Sequence, residues 1–525
     1  MAHATSPGST PHRADAKTAA EPRLLPAGLM ILLAVAAIYA QTRRHGFLNY
    51  DDNVYILANP EVTRGLSWDG LRWAIGFHAA NWHPLTWLSH MLDCQLFGLA
   101  AGGHHLVSVG LHAANALLLM VVLRRMTGNF WCAFATAALF AVHPLRVESV
   151  AWVAERKDVL AALFMLLALW AWSRYVRRPR PGSYLGALGL FGLALAAKAT
   201  PVTLPLLLLL LDWWPLGRCP AASAPGTEPR VAARRRGWGV LVVEKLPFLV
   251  LSAAASAITL RAQATGVLQP IAAAPAQRLA NAALSYAAYL GSFLWPHGLA
   301  PLYPYPRAGI SWTLAAATLA LLAASGAGAL LAARRRPYLA AGWLWYLGML
   351  VPVIGLVQVG AQARSDRYTY LSQIGLAIAL FWLLREARPG RQRARLALAG
   401  TVGAALVALA VASHAYVRVW RDDLTLFGAA VAATPGNPIM LNNLAGALRA
   451  ADRNEEAIRA LEEAVRVDPG YCKALSNLGI MLVGLRRCPE ALGPLERALA
   501  CSAHERLQTV DEGRISAALA QCRRR

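Results

Sequence analysis

The chain reads as all-α: a polytopic bundle of about 10–12 membrane spans, followed by a short C-terminal array of paired helices. Two observations predict this. The 525 residues are 57% apolar and only 15% charged, which is not the composition of a soluble domain. The apolar residues are also gathered into long uncharged runs that stop abruptly near residue 413, where a repeat begins.

The runs fall at 24–41, 104–123, 130–144, 158–173, 184–197, 201–213, 238–260, 279–296, 311–332, 338–358, 371–384 and 396–413. Several reach the roughly 20 residues that a spanning helix needs, and the shorter ones fit broken or re-entrant segments. Residues 1–23, rich in Ala, Pro, Ser and Thr, are expected to form a disordered cytoplasmic tail before an uncleaved first anchor. The multi-span domain is expected to run from 24 to 413.

A net charge of +23 raises nucleic acid as a partner. The basic residues argue against it, because they sit in short turns between apolar runs: Arg124-Arg125, Arg177-Arg178, Arg234 to Arg236, Arg334 to Arg336 and Arg391 to Arg395. This is the cytoplasmic Lys/Arg bias that sets membrane topology. It places the N-terminus inside. Residues 42–103, 145–157, 359–370 and everything after about 414 come out outside. Between 184 and 310 the parity fails if every run spans, so one of 184–197, 201–213 or 279–296 is expected not to cross.

From 414 to 525 the pattern changes. Pro435 recurs as Pro469, 34 residues on. Asn443-Leu444-Ala445 recurs as Asn477-Leu478-Gly479, Ala457 as Ala491 and Ala464 as Ala498. This is the tetratricopeptide repeat, whose small residues mark the close approach of two antiparallel helices. Full repeats are expected at about 438–471 and 472–505, with a half repeat before them and a capping helix after. Such arrays bind proteins in a concave groove, and the plainer reading is a spacer.

Seven cysteines form no CxxC pair and no zinc spacing with histidine, so no metal site is expected. Cys472 and Cys501 lie at opposite ends of one antiparallel helix pair, where a bridge is geometrically open. Simple packing of small buried thiols is the alternative.

Ionisable residues at the edges of spanning segments are expensive unless paired, and so are functional candidates. Four groups qualify: Asp51 and Asp52 with His83; Glu148, Glu155, Arg156, Lys157 and Asp158 in HPLRVESVAWVAERKDVL; Lys198 in LALAAKATPVTLP; and Arg364, Asp366 and Arg367 in ARSDRYTY. Ion-paired turns, snorkelling and lipid anchoring explain each group singly. The first, second and fourth face one side, however. Carboxylates that accept a hydroxyl proton, together with guanidiniums that hold a phosphate bidentately, suit sugar transfer from a lipid phosphate. The loop carrying Asp51 and Asp52 is expected to be polar, with both carboxylates dispensable for folding.

These motifs, with YDDNVYILANPEV, WHPLTWLSHMLDCQLFG, GGHHLVSVGLHAANALLL and SDRYTYLSQIG, resemble the bacterial relatives of the transmembrane and tetratricopeptide-repeat-containing O-mannosyltransferases. Those proteins belong to the GT-C glycosyltransferase superfamily. The resemblance runs from about 40 to 500. It implies a GT-C-type fold and a multi-pass protein of the bacterial inner membrane, with its repeats on the non-cytoplasmic side. It also implies inverting transfer of a sugar, by inheritance mannose, from a polyprenyl-phosphate donor to protein Ser or Thr hydroxyls. No further cofactor and no divalent metal are implied. In such enzymes an acid of the first external loop is the catalytic base, here Asp51 or Asp52. Arg156, Arg364, Arg367, Glu148, Asp158, His83 and Lys198 are the candidate donor-site residues. Two other readings differ in class. A non-catalytic scaffold that recruits envelope proteins would not need Asp51 or Asp52, and a lipid-linked sugar transporter would need midplane charges and inverted repeats.

Overall fold

The computed structural model describes residues 23–219, 235–264, 273–306, 309–357, 362–387, 390–504 and 511–524. The expected tail, up to residue 22, lies outside the described residues. Within them the chain is helical, apart from one two-stranded antiparallel ribbon that pairs Tyr303–Pro304 with Gln362–Arg364.

Among the described residues, six helices are long and apolar enough to cross a membrane: Leu24–Arg44, Ala101–Thr127, Val153–Arg177, Leu246–Ala264, Trp312–Ala332 and Gln392–Trp420. A seventh span results if Phe130–Val142 and Pro144–Ala151, bent by 64°, are taken together. The protein is a multi-pass membrane protein. Helix Val153–Arg177 is the most enclosed of the six and Gln392–Trp420 the least, so the first forms the middle of the bundle and the second faces outward.

The other apolar runs become shorter helices. Run 184–197 lies in Pro181–Ala197 and run 201–213 in Thr200–Trp213. They are separated at Lys198, whose backbone is extended, followed by a turn through Pro201. Pro201 lacks the N–H that would continue the helix and favours extended or turn backbone just before it. The break leaves Lys198 in the interior, paired with Glu155 and Asp158.

Where two short helices cross, their backbones touch. A Cβ on Gly342 would collide with the carbonyl of Gly375, and one on Gly375 with the carbonyl of Gly342. Helices Pro337–Leu350 and Thr369–Glu386 therefore pack with small residues at the crossing, as membrane helices do.

The repeat array begins at Asp422, whose carboxylate accepts the Thr425 N–H and caps helix Asp423–Ala433. Helices Pro438–Ala450, Asn454–Val467, Cys472–Gly484, Cys488–His504 and Glu512–Arg523 follow. The recurring alanines Ala457, Ala464, Ala491 and Ala498 are all fully buried. A Cβ on Gly479 would strike Leu495, which explains the small residue at that repeat position. Two disulfides staple the end of the array. Cys472–Cys501 joins the two helices of the last repeat, with Cα atoms 5.7 Å apart. Cys488–Cys522, which the sequence did not suggest, ties the capping helix down at 5.2 Å. Both spacings lie in the ordinary range for a bridge.

Gly342→Ala should destabilise the bundle by about 1–3 kcal/mol, because the added methyl meets rigid backbone. Gly400→Ala, whose Cβ would meet nothing within 4 Å, should not. Thermal unfolding of the two detergent-solubilised variants measures the difference.

Candidate active site

The segment between His143 and Asp158 is built of three short helical turns, Pro144–Arg146, Val147–Ala151 and Val153–Glu155, before the long helix starts at Arg156. Extended residues at His143 and Trp152 separate them, and for His143 the following proline is a sufficient cause. The whole segment is buried. Folded this way, it brings Glu148, Glu155, Lys157 and Asp158 into one buried ion cluster with Lys198 and Arg367.

There the charges pair completely. Glu148 accepts from Arg367 twice, at 2.6 Å from Nη1 and 2.8 Å from its backbone N–H. Glu155 meets Arg367 Nε at 3.4 Å, Lys157 at 3.0 Å and Lys198 at 2.9 Å. Lys198 also reaches Asp158 at 2.6 Å, whose other oxygen accepts from Ser149 at 3.0 Å. Three carboxylates thus face three cations. Arg367 and Lys198 are exposed by 12% and 13% and Lys157 and Asp158 by 8% each, while Glu148 and Glu155 are sealed. Arg367 and Asp158 line a small cleft with Thr200, Met349, Tyr368 and Tyr370. Met349 also lines an apolar groove of about 500 Å³, walled by Leu206, Leu207, Leu210, Trp213 and Trp345. The cleft that Arg367 lines and the apolar groove meet at Met349.

The two adjacent aspartates differ sharply. Asp52 is fully buried, and its oxygens accept the Leu48 N–H at 2.9 Å and the Ala154 N–H at 2.8 Å. It latches the loop to the 153–155 turn. Burial, reinforced by the Asp51 charge, pushes its carboxyl up to about 7 against the pull of the two N–H groups. Asp51 is exposed and holds a left-handed backbone at φ 74°, uncommon for a residue with a side chain. Its charge acts on Tyr50, Tyr55 and Lys157. Tyr50 stacks on Trp152 at 4.7 Å.

The remaining candidates divide. His83 is buried next to the cluster and is held well below its usual pKa by burial first and then by Lys157 and Lys198. Arg364 instead lies over the Tyr303 ring at 3.9 Å. Tyr303 donates to Asp366 at 3.2 Å, and Ala300 N–H does the same. Burial pushes the Asp366 carboxyl up to about 7, with Arg364 pulling it back. Arg156 points elsewhere altogether. Fully buried, it pairs with Asp93 and donates to Ser108 at 3.1 Å, Ser89 at 3.2 Å and the His104 carbonyl. His90, Asp93 and His104 present ligand atoms within 4.8 Å of one another, a cluster not legible from spacing. Its one carboxylate is already the counterion of Arg156, so a dication there would meet an occupied acid and a buried guanidinium.

Sequence reasoning gave Glu155 and Lys157 no separate role, although Glu155 is the hub. It also passed over Arg146, buried between Thr369 and Gln373 and over the rings of Phe140 and Tyr370. The signal was present in both cases, as charges inside an otherwise apolar stretch. A second ion cluster, Asp212 with Arg218 and Lys245, contacts the other end of the central helix through Trp172. From Asp158 to Trp172 that helix rises about 21 Å.

A helical membrane bundle with a buried ion cluster beside a small cleft, an apolar groove and a repeat array is what this geometry defines. Comparison with known proteins agrees. The family described as dolichyl-phosphate-mannose-protein mannosyltransferase matches residues 85–220, which hold Glu148, Glu155, Asp158 and Lys198. The tetratricopeptide repeat matches 440–467. Protein O-mannosyl-transferase Tmtc2 of Drosophila melanogaster is 34% identical over 190 residues, covering 33% of this chain and 20% of its own length. Protein O-mannosyl-transferase TMTC1 of Homo sapiens is 25% identical over 515 residues, covering 87% of this chain and 57% of its own. The chain thus spans little more than half of that relative. Among solved structures, ArnT from Cupriavidus metallidurans bound to undecaprenyl phosphate aligns at 14% identity and a TM-score of 0.37, covering 89% of this chain and 79% of its own. The resemblance to the transmembrane and tetratricopeptide-repeat-containing O-mannosyltransferases, read from the motifs, is borne out.

The geometry changes one expectation about the loop. In Asp52→Asn one of the two backbone N–H groups would face an amide NH₂, so this variant should lose about 1–3 kcal/mol, whereas Asp51→Asn should fold normally. The raised Asp52 pKa means that the folded state binds the extra proton. Its contribution to stability is therefore present below pH 4 and lost as pH rises towards about 7. Thermal unfolding between pH 4 and 8 should show this slope in the wild type and a reduced one in Asp52→Asn.

Proposed function

We propose that the chain is an integral-membrane glycosyltransferase. It moves a sugar, mannose by analogy with its named relatives, from a polyprenyl-phosphate donor to Ser or Thr hydroxyls of proteins. The observation that carries this reading is that Arg367, together with Asp158 and its partner Lys198, borders a cleft that shares Met349 with an apolar groove. A lipid phosphate needs both: cations for the headgroup and an apolar wall for the chain.

In this reading the polyprenyl tail lies in the groove and the phosphate in the cleft. Asp51 accepts the proton of the acceptor hydroxyl while that oxygen attacks the anomeric carbon from the side opposite the phosphate. The bond from that carbon to the phosphate oxygen breaks, and polyprenyl phosphate departs with its new negative charge facing Arg367 and Lys198. Preorganised cations at a developing anion are the strongest single contribution such a site makes. Glu148 and Asp158 hold Arg367 and Lys198 in place, and neutral His83 adds no competing charge. Arg156 and Arg364 support the walls, through Asp93 and Tyr303. The acceptor protein reaches the site along the repeat array.

Two observations favour a non-cytoplasmic site. The arginine-rich turns at 124–125 and 177–178 lie at the ends of the two central helices remote from the cluster, and the array carries two bridges, which an oxidising compartment permits.

The purified full chain, given polyprenyl-phosphate mannose and Ser/Thr peptides and read by mass spectrometry, should transfer one hexose per site. Asp51→Asn should lower turnover about 10²-fold or more. Arg367→Lys keeps the charge but loses the planar fork, and should raise donor KM while leaving acceptor KM alone. Near-normal turnover in Asp51→Asn would remove the base assignment.

A further inference from the structure

Three of the five residues that lead into Asp51 are held by the segment 421–427, where the last long helix passes into the repeat array. Gly46 donates its N–H to the Arg421 carbonyl at 3.1 Å. Asn49 donates its N–H to Asp423 Oδ1 at 2.8 Å. The Tyr50 ring meets the edge of Phe427 at 5.9 Å while its face stacks on Trp152, and Trp152 in turn stacks near Trp420 at 6.0 Å. Behind Asp51, Asp52 is pinned to Ala154. The exposed carboxylate therefore stands between two anchors, one in the membrane domain and one in the array.

Three features make this more than ordinary domain packing. Asp423 has no capping duty in its own helix, because Asp422 already caps it. Its acceptor oxygen is spent on a backbone 374 residues away. Asp51 also occupies a left-handed conformation, which persists in a residue with a side chain only where the surroundings over-determine it. The surroundings here are these contacts. Leu426 and Phe427 are buried in the same core as Tyr55 and Trp152, so the start of the array is continuous with the bundle.

We propose that Asp423 and Phe427 are positioning residues for Asp51: the first helix of the repeat array sets the backbone from which the base works. The array is then a part of the catalytic apparatus as well as a surface for acceptor proteins. This rests on the reading of Asp51 as the base.

The test uses the full chain in detergent, with Asp423→Ala as the main variant and Glu463→Ala, on the outer face of the array, as control. Hydrogen exchange of the Asn49 amide should quicken about 10-fold in Asp423→Ala and stay unchanged in Glu463→Ala. Turnover should fall about 10-fold in Asp423→Ala, with donor KM within two-fold of wild type. In the Asp51→Asn background, adding Asp423→Ala should cost nothing more, since the group it positions is already gone. Unchanged exchange at Asn49, with Asp51→Asn still inactive, overturns the positioning role alone. Multiplicative losses in the double variant overturn it too, because Asp423 would then act through something other than Asp51. Faster exchange with normal turnover in Asp51→Asn overturns the base reading and with it the proposal.

Discussion

Glu155 holds three cations on one carboxylate, and the arrangement of the site follows from that. Lys157 comes from its own helix, Lys198 from the break after Ala197, and Arg367 from the turn before Thr369. No two of these segments are neighbours in sequence. A buried carboxylate is tolerable only when its charge is matched, and stripping one partner from such a pair costs about 3–5 kcal/mol. The bundle must therefore bring the three segments to the same point. The proline-broken helix at 198–201 and the short turns at 144–155 are the backbone geometry that this demands.

The balance of the cluster fits the proposed function. Three acids and three bases cancel, so the resting site carries no net charge to repel or trap ions. Glu148 and Glu155 are sealed, whereas Arg367 keeps an edge in the cleft beside Asp158, and in the proposed function that edge meets the incoming anion. A cluster serving stability alone has no reason for that asymmetry, and apolar residues of the same volume would often serve as well. By contrast, Arg156 with Asp93 and Asp212 with Lys245 are closed on themselves.

Much of this was legible in the sequence. Apolar runs and basic turns gave the bundle, a 34-residue period gave the array, and charges in apolar context marked segments that the fold brings into ion pairs. What sequence could not give was pairing. Arg156 lies next to Glu155 in the chain but turns to Asp93 on another helix, while Arg367 crosses 219 residues to Glu148. Helix periodicity says which face a residue is on, not which helix crosses it. Asp51 and Asp52 were indistinguishable as letters; a left-handed φ on one and two backbone N–H groups on the other separate them. Cys488–Cys522 was missed because the reading stopped at the repeat boundary, while the capping helix folds back across it.

The central claim is that the cleft and the groove together recognise a lipid phosphate. Affinity of the wild-type full chain for polyprenyl phosphate, against the matching polyprenol without its phosphate, tests it most directly, for example by native mass spectrometry from detergent. The account predicts that the phosphate form binds at least about tenfold more tightly, since two charge-assisted contacts are each worth about 1.5–3 kcal/mol. Equal affinity for the two lipids would mean that the cations serve only the fold, and would contradict it.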